Sequence, residues 1–322
     1  MFKAKSFLLG AALLAASGPA CAQAVWPSKP LRVVVAFTPG SATDIIARTI
    51  GERLTAQLGQ PVVVENRPGA SGTIGAAAVA RSDPDGHTIL VNSSSHTVAP
   101  ATMKELPYDT LRDLSGVAPL GNLPNVLVVS PAKGYRSAAD LVAAAKARPG
   151  KLNYASGGVG SAAQLNAERF RLSAGFEAVH VPFKGAPEAL AQVLAGEVDF
   201  YFCPIVPALP MLKDGRLAAV AVGSNRRAAA LPEVPTTLEA GYANSDYNFW
   251  VGMFVPAKTP REIVARLHQE TLKAMQAPDV AQRLARLGAE PMPMTPEQFD
   301  AYLRDEVAAN AELVRAAGIK AN

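Results

Sequence analysis

One plan, strand then short glycine-containing loop then helix, runs twice through this chain, and it constrains the fold more than any other feature. The first copy is Leu31 to Arg48, Leu-Arg-Val-Val-Val-Ala-Phe-Thr-Pro-Gly-Ser-Ala-Thr-Asp-Ile-Ile-Ala-Arg. An apolar run leads into Pro39 and Gly40, and amphipathic spacing follows. The second copy starts about 120 residues later, with a strand at 151–155, the loop Ser156-Gly157-Gly158-Val159-Gly160 and a helix at 161–174. Strands that alternate with helices build parallel sheets from βαβ units. Two copies without a sequence repeat predict two α/β lobes. A helix N-terminus leaves unpaired N–H groups and a partial positive charge, so each loop is a candidate anion seat that needs no cationic side chain.

The remaining segments fill in both lobes. Strands are expected at 33–37, 61–65 and 88–92, and helices at 44–58, stopped by Gly59, and at 73–81. The second half adds a strand at 178–182, a helix at 187–194 and strands at 198–202 and 217–222. Residues 121–129 read as an outward crossing between lobes and the apolar run 249–255 as the return. Thr259-Pro260-Arg261-Glu262 and Thr295-Pro296-Glu297-Gln298 read as capping boxes with proline at the first helical position, opening helices to about Gln276 and Ala317. The expected division is 1–22 as a signal peptide, 23–122 with 247–322 as domain 1, and 123–246 as domain 2.

The chain has 322 residues, 49% hydrophobic and 18% charged, which excludes disorder as its main state. Lys3 and Lys5, an apolar run at 7–16 and Ala20-Cys21-Ala22 make a secretory signal, with cleavage near Ala22 and a periplasmic destination. Cys21 as a lipid-modified residue is the rival reading, and Gly18-Pro19 before it fits that poorly. The formal net charge of +4 falls to +2 once Lys3 and Lys5 leave with that segment. No Lys/Arg run argues for nucleic acid. Cys203 is then the one cysteine left, so no disulfide forms within the chain.

Ligands of open parallel sheets lie beyond the carboxyl ends of the strands. Four loops qualify. The first holds Phe37, Thr38, Pro39, Gly40, Ser41, Ala42, Thr43 and Asp44. The second holds Ser93, Ser94, Ser95 and His96. The third holds Gly158, Val159, Gly160, Ser161 and Gln164, and the fourth follows Phe183 and includes Lys184. Asp44 is expected to close a capping box with Ser41, and Gln164 one with Ser161. Asp44 partly cancels its own helix dipole and Gln164 does not, so the third loop is the expected seat of negative charge. Asp199 reads either as a turn residue or as a cleft residue, Cys203 as a buried inert thiol, and Trp250 as core or hinge packing.

Other chemistry finds little support. Gly158-Val159-Gly160-Ser161-Ala162-Ala163 matches a dinucleotide fingerprint, but the acid expected after the next strand is missing, so no cofactor is expected. The four histidines show no metal-ligand spacing. A secreted hydrolase using Ser94 or Ser95 with His96 lacks a paired acid and an oxyanion motif.

With those loops on the page, the chain resembles the Bug/TctC family, the extracytoplasmic substrate-binding components of tripartite tricarboxylate transporters. The matching segments are Pro39-Gly40 through Asp44 to Arg48 and Gly59-Gln60-Pro61-Val62-Val63-Val64-Glu65-Asn66-Arg67-Pro68-Gly69-Ala70. They continue with Pro84-Asp85-Gly86, Asn153-Tyr154-Ala155-Ser156, Val181-Pro182-Phe183-Lys184-Gly185 and Leu231-Pro232-Glu233-Val234-Pro235-Thr236. The resemblance implies a two-lobed α/β type II periplasmic-binding-protein fold, each lobe a mixed sheet flanked by helices, with the ligand cleft between them. It implies a non-enzymatic monomer. A small carboxylate, whether a di- or tricarboxylate, an acidic amino acid or an aromatic acid, would be held by backbone amides, hydroxyls and waters. Its partners would be the membrane subunits of such a transporter or, alternatively, a membrane sensor. Ser41 stands where the family often has a second glycine and Gln164 where it often has histidine.

Overall fold

The computed structural model describes residues 26–320. The expected signal segment, its cleavage near Ala22 and the question of Cys21 lie outside the described residues. The first strands and helices follow the sequence closely: β1 (Leu31–Val35), α1 (Ala42–Leu58), β2 (Val62–Asn66), α2 (Thr73–Ala80) and β3 (Thr88–Ser93). Then come α3 (Ser95–Thr102), β4 (Leu114–Asn122), β5 (Asn125–Val129), α4 (Ala138–Ala147), β6 (Asn153–Ser156), α5 (Ala162–Ala174), β7 (Val179–Pro182), α6 (Ala186–Ala195), β8 (Phe200–Pro204), α7 (Ile205–Lys213) and β9 (Ala218–Val222). The chain finishes with β10 (Trp250–Pro256), α8 (Arg261–Gln276), α9 (Pro278–Arg286) and α10 (Pro296–Ala316).

Two five-stranded sheets form, in the orders β2-β1-β3-β10-β4 and β7-β6-β8-β5-β9. In the first, β1 runs parallel to β2 and β3, while β10 is antiparallel to β3 and β4. The second sheet copies this, with β6 parallel to β7 and β8, and β5 antiparallel to β8 and β9. Each lobe is therefore a mixed sheet with helices packed on it. The helix α1 shows why: Ile46, Ala47, Ile50 and Leu54 recur at three- and four-residue spacing and bury one face on the first sheet.

The outward crossing is two strands rather than one. Pro124 has no N–H to give to a ladder, and the chain breaks between β4 and β5 there. Leu123 N donates to Phe249 O at 2.7 Å, so the outward and return passages are tied to each other. Trp250 is fully buried, edge-on to Phe299 with centroids 5.5 Å apart, which settles it as core packing.

Two local expectations split. Thr295 and Gln298 form the expected capping box, by Thr295 N to Gln298 Oε1 at 2.9 Å and Gln298 N to Thr295 Oγ1 at 3.3 Å. Thr259 does not cap α8. Pro260 takes the cap position with extended backbone, Arg261 begins the helix, and Thr259 Oγ1 is left buried without a partner among the described residues. The segment 92–96, read as one loop, is instead the end of β3 and the opening of α3.

Candidate functional site

The loop after β1 is a tight turn that becomes a helix cap. Ser41 N donates to Thr38 O at 3.1 Å, and Gly40 supplies the φ of +78° that this turn requires. Ser41 Oγ then accepts from Asp44 N at 3.2 Å. Because the turn already uses the Ser41 N–H, the Asp44 carboxylate reaches one residue further back than a capping box would, to Gly40 N at 2.9 Å. Its other oxygen accepts from Arg48 Nε and Asn66 Nδ2, both at 2.9 Å.

The loop after β6 is built the same way. Ser161 N donates to Gly158 O at 3.1 Å, Gly160 has φ +77°, and Gln164 N donates to Ser161 Oγ at 3.4 Å. Gln164 Oε1 accepts from Gly160 N at 2.8 Å. The one chemical difference is an amide where the first loop has a carboxylate. The loop before α6 uses the same reach-back, from Lys184 N to Glu188 Oε2 at 3.0 Å.

These loops face one another across a narrow cavity of about 40 Å³. Phe37, Ser41, Ala42, Thr43, Ser93, Ser95 and Phe249 line it from the first lobe. Gly157, Ser161, Ala162, Ala163, Gly185, Ala186, Tyr201 and Pro204 line it from the second. The first turns of α1, α3, α5 and α6 all contribute. The N–H groups of Ala42, Thr43 and Ala163 have no hydrogen-bond partner among the described residues. That leaves donors on both sides of the gap.

The lobes touch at several points. Ala162 N donates to Ser95 Oγ at 3.1 Å, and Ser71 Oγ donates to Val159 O at 2.5 Å. A β-carbon on Gly185 would lie 2.2 Å from Thr38 Oγ1, and one on Gly160 would lie 2.4 Å from Thr102 Oγ1. Ser71 belongs to an unusual run, since Gly69, Ala70, Ser71 and Gly72 all have positive φ.

Seven of the expected site residues line the cavity: Phe37, Ser41, Ala42, Thr43, Ser93, Ser95 and Ser161. The others do not, each for a visible reason. Thr38, Pro39, Gly40, Gly158, Val159 and Gly160 form the turns behind the wall, and Asp44 and Gln164 are bonded back onto those turns. Ser94 is fully buried at the N-cap of α3. His96 turns away from Ser95 into the aromatic core, 4.5 Å from Phe254 and stacked on Tyr108 at 6.3 Å between centroids. Burial pushes its pKa down to about 4, so it is neutral near pH 7. That removes it from any pairing with Ser94 or Ser95.

Lys184 is exposed and contributes only its backbone. Asp199 is the turn-residue case: it stands before β8, at the opposite end of that strand from Pro204, bound to Lys133 Nζ at 2.8 Å and Asn153 N at 2.9 Å. Cys203 is fully buried, and burial holds its thiol far above the usual range, so it is inert. Tyr201, Pro204 and Phe249 went unread. The strand-end rule reaches Pro204 once β8 is extended to it, but not Tyr201, which lies near the start of that strand. Ala162, Ala163 and Ala186 offer backbone only and carry no side-chain signal.

Two sheets of matched order, with a cavity walled by loops of both, give the two-lobed architecture of a periplasmic binding protein, and both the family and the solved relatives below are solute-binding proteins rather than enzymes. The sequence model of the tripartite tricarboxylate transporter family receptor matches residues 46–319, and the chain belongs to that family. It is 38% identical to protein BugT of Bordetella pertussis over 299 residues, covering 92% of this chain and 91% of that one. It superposes on the structure of R. palustris Rpa4515 with adipate at a TM-score of 0.89 and 30% identity, covering 92% and 100% of the two chains. The structure of MatC from Rhodopseudomonas palustris with bound malate gives 0.85 and 32%, covering 90% and 100%.

Proposed function

We propose that this protein captures a small carboxylate between its lobes in the periplasm and delivers it to the membrane subunits of a tripartite tricarboxylate transporter. The carrying observation is the pair of matching turns, Thr38–Ser41 and Gly158–Ser161, that open α1 and α5 onto one cavity from opposite lobes. The relatives whose structures hold adipate and malate support the same ligand class. The moving units are 23–122 with 247–322, and 123–246, hinged where Leu123 meets Phe249. Export follows from the N-terminal signal, with cleavage near Ala22.

The energetics suffice. A micromolar site needs about −8 kcal/mol, and hydrogen bonds to a charged group contribute roughly 1.5–3 kcal/mol each. Four to six donors from both walls would cover this after association and closure. Asp44 is paired with Arg48 and its neighbouring loop supplies shape and neutral donors, while the loop at Gly158–Ser161 holds the charge. A ligand bridging both lobes binds the closed state better and shifts the population toward it.

The test is a thermal-shift screen of mono-, di- and tricarboxylates on protein refolded free of carried-over ligand. No carboxylate shift at millimolar concentration would sink the reading. Pull-down of membrane proteins with and without ligand then decides between a transporter and a sensor as partner.

A further inference from the structure

The turn Gly158–Ser161 is held from behind by a side chain that does not line the cavity. Tyr154 and Ser156 stand two residues apart on β6, so they share one face of the second sheet. His180, on the edge strand β7, is the register partner of Tyr154. Its imidazole lies on the Tyr154 ring, with centroids 5.0 Å apart and 22° between the planes. From there Nε2 reaches Ser156 Oγ at 2.6 Å.

Ser156 is fully buried, and its hydroxyl has one proton and two acceptor sites. Gly158 N donates to Oγ at 3.1 Å, and Oγ donates to Gly158 O at 2.9 Å. With the proton spent on Gly158 O, the contact to His180 requires Nε2 to be the donor. All three bonds then hold at once. A proton on Nδ1 instead would draw the serine proton to Nε2 and take it from Gly158 O. Burial pushes the His180 pKa down to about 4, so near pH 7 only one ring nitrogen carries a proton.

The clamp acts where the turn is set. Gly157, between the two clamped residues, lines the cavity. Gly158 O also accepts from Ser161 N at 3.1 Å, and Ser161 caps α5, whose Ala163 N–H is open. The first lobe lacks this device. At the matching places of its turn it has Ala36 for Ser156 and Thr38 for Gly158. There Pro39 stiffens the chain by fixing φ, where the second turn has Val159.

We propose that His180, as the Nε2–H tautomer, is a positioning residue for ligand capture: through Ser156 it fixes the turn that aims the donors of α5 at the ligand's carboxylate. This rests on the carboxylate reading above and assigns it a supporting residue outside the cavity. Three variants and one spectrum test it. His180→Phe keeps a ring on Tyr154 and removes the donor, His180→Gln keeps a donor, and Ser156→Ala removes the hub. Calorimetry uses malate, adipate and succinate on protein refolded free of carried-over ligand, and melting curves show which variants are folded. His180→Phe should bind about 10-fold more weakly, about 1.4 kcal/mol, and His180→Gln within threefold of the parent. In the Ser156→Ala background, His180→Phe should cost less than twofold more, because the two act through one bond. Long-range proton–nitrogen NMR of the unaltered protein should show His180 protonated at Nε2 and bare at Nδ1, whether or not the variants fold. A proton on Nδ1, a folded His180→Phe within twofold of the parent, or full additivity with Ser156→Ala overturns the proposal and leaves carboxylate capture standing. If the parent binds none of the three acids and no other carboxylate at millimolar concentration, the carboxylate reading falls and this role falls with it.

Discussion

The two matched turns differ by one charge, and exchanging that charge is the sharpest test of where the ligand's carboxylate sits. Gln164→Glu can keep the bond to Gly160 N, which Gln164 Oε1 makes at 2.8 Å, so the turn survives. It also adds a carboxylate at the N-terminus of α5 with no local neutraliser. On α1 the residue four positions on is Arg48, at 2.9 Å from Asp44, whereas on α5 it is Glu168, already paired with Arg171 at 2.7 Å. At an effective dielectric of about 20, two like charges some 6 Å apart repel by about 3 kcal/mol. Screening at the cavity mouth trims this to roughly 1.5–3 kcal/mol, a 10- to 100-fold loss of affinity. Asp44→Asn does the reverse at α1, leaving the Arg48 charge uncompensated near the cavity. Affinity should then hold or rise a few-fold, while stability falls by about 1–2 kcal/mol because Arg48 is half exposed. Calorimetry with the tightest carboxylate from the screen, at low and high salt, reads the first effect, and chemical denaturation reads the second. If Gln164→Glu binds within twofold of the parent while Asp44→Asn loses tenfold, the charge sits at α1 and the assignment is wrong.

Four further outcomes are expected. His96 and His180 are both pushed down to about 4 by burial, against about 6.5 when unfolded, so the unfolded chain binds more protons between those values. Stability should therefore fall as pH drops from 6.5 toward 4, by at most about 3 kcal/mol per histidine, and urea titrations at pH 7 and 4.5 that superimpose would contradict this. Gly185→Val leaves an extended backbone undisturbed but drives a side chain into Thr38, so affinity should drop at least ~10-fold with little change in the melting temperature of the empty protein. Thr259→Val removes a buried hydroxyl without a partner and should raise stability by about 1 kcal/mol in denaturant titration; a loss would mean the hydroxyl is satisfied. Ser71→Ala deletes one bond between the lobes and should weaken ligand binding about fivefold by calorimetry, with unchanged donors in the cavity.

The fold was legible where periodicity and caps agree. Ser41, Gly59 and Thr295 marked helix ends because their local chemistry has few other uses. It was illegible where proline and glycine sit inside an element. Pro100 stands inside α3, and Pro119 lies in the edge strand β4, where only one side needs a ladder partner. The site divides along the same line. Loops could be placed by the strand-end rule, yet a residue's position on a loop does not say which way it points. His96 and Ser95 are adjacent in sequence, yet one packs on Phe254 and the other lines the cavity, because one helical step turns the side chain by about 100°. The backbone donors of Ala162, Ala163 and Ala186 leave no trace in residue type at all.

The bond from Ser71 to Val159 joins the lobes from a segment that does not line the cavity. Its contribution to closure is therefore the same whether or not a ligand is held. A neutral hydrogen bond of about 1 kcal/mol multiplies the closed fraction of the empty protein by about five. A membrane partner that reads only shape would then be visited by unloaded copies as well as loaded ones. The run at 69–72, with Ala70 and Ser71 held at positive φ, carries the Ser71 hydroxyl that meets the second lobe. Under the proposed role, that bond sets how much of the empty protein is closed, and so the contrast between a full receptor and an empty one.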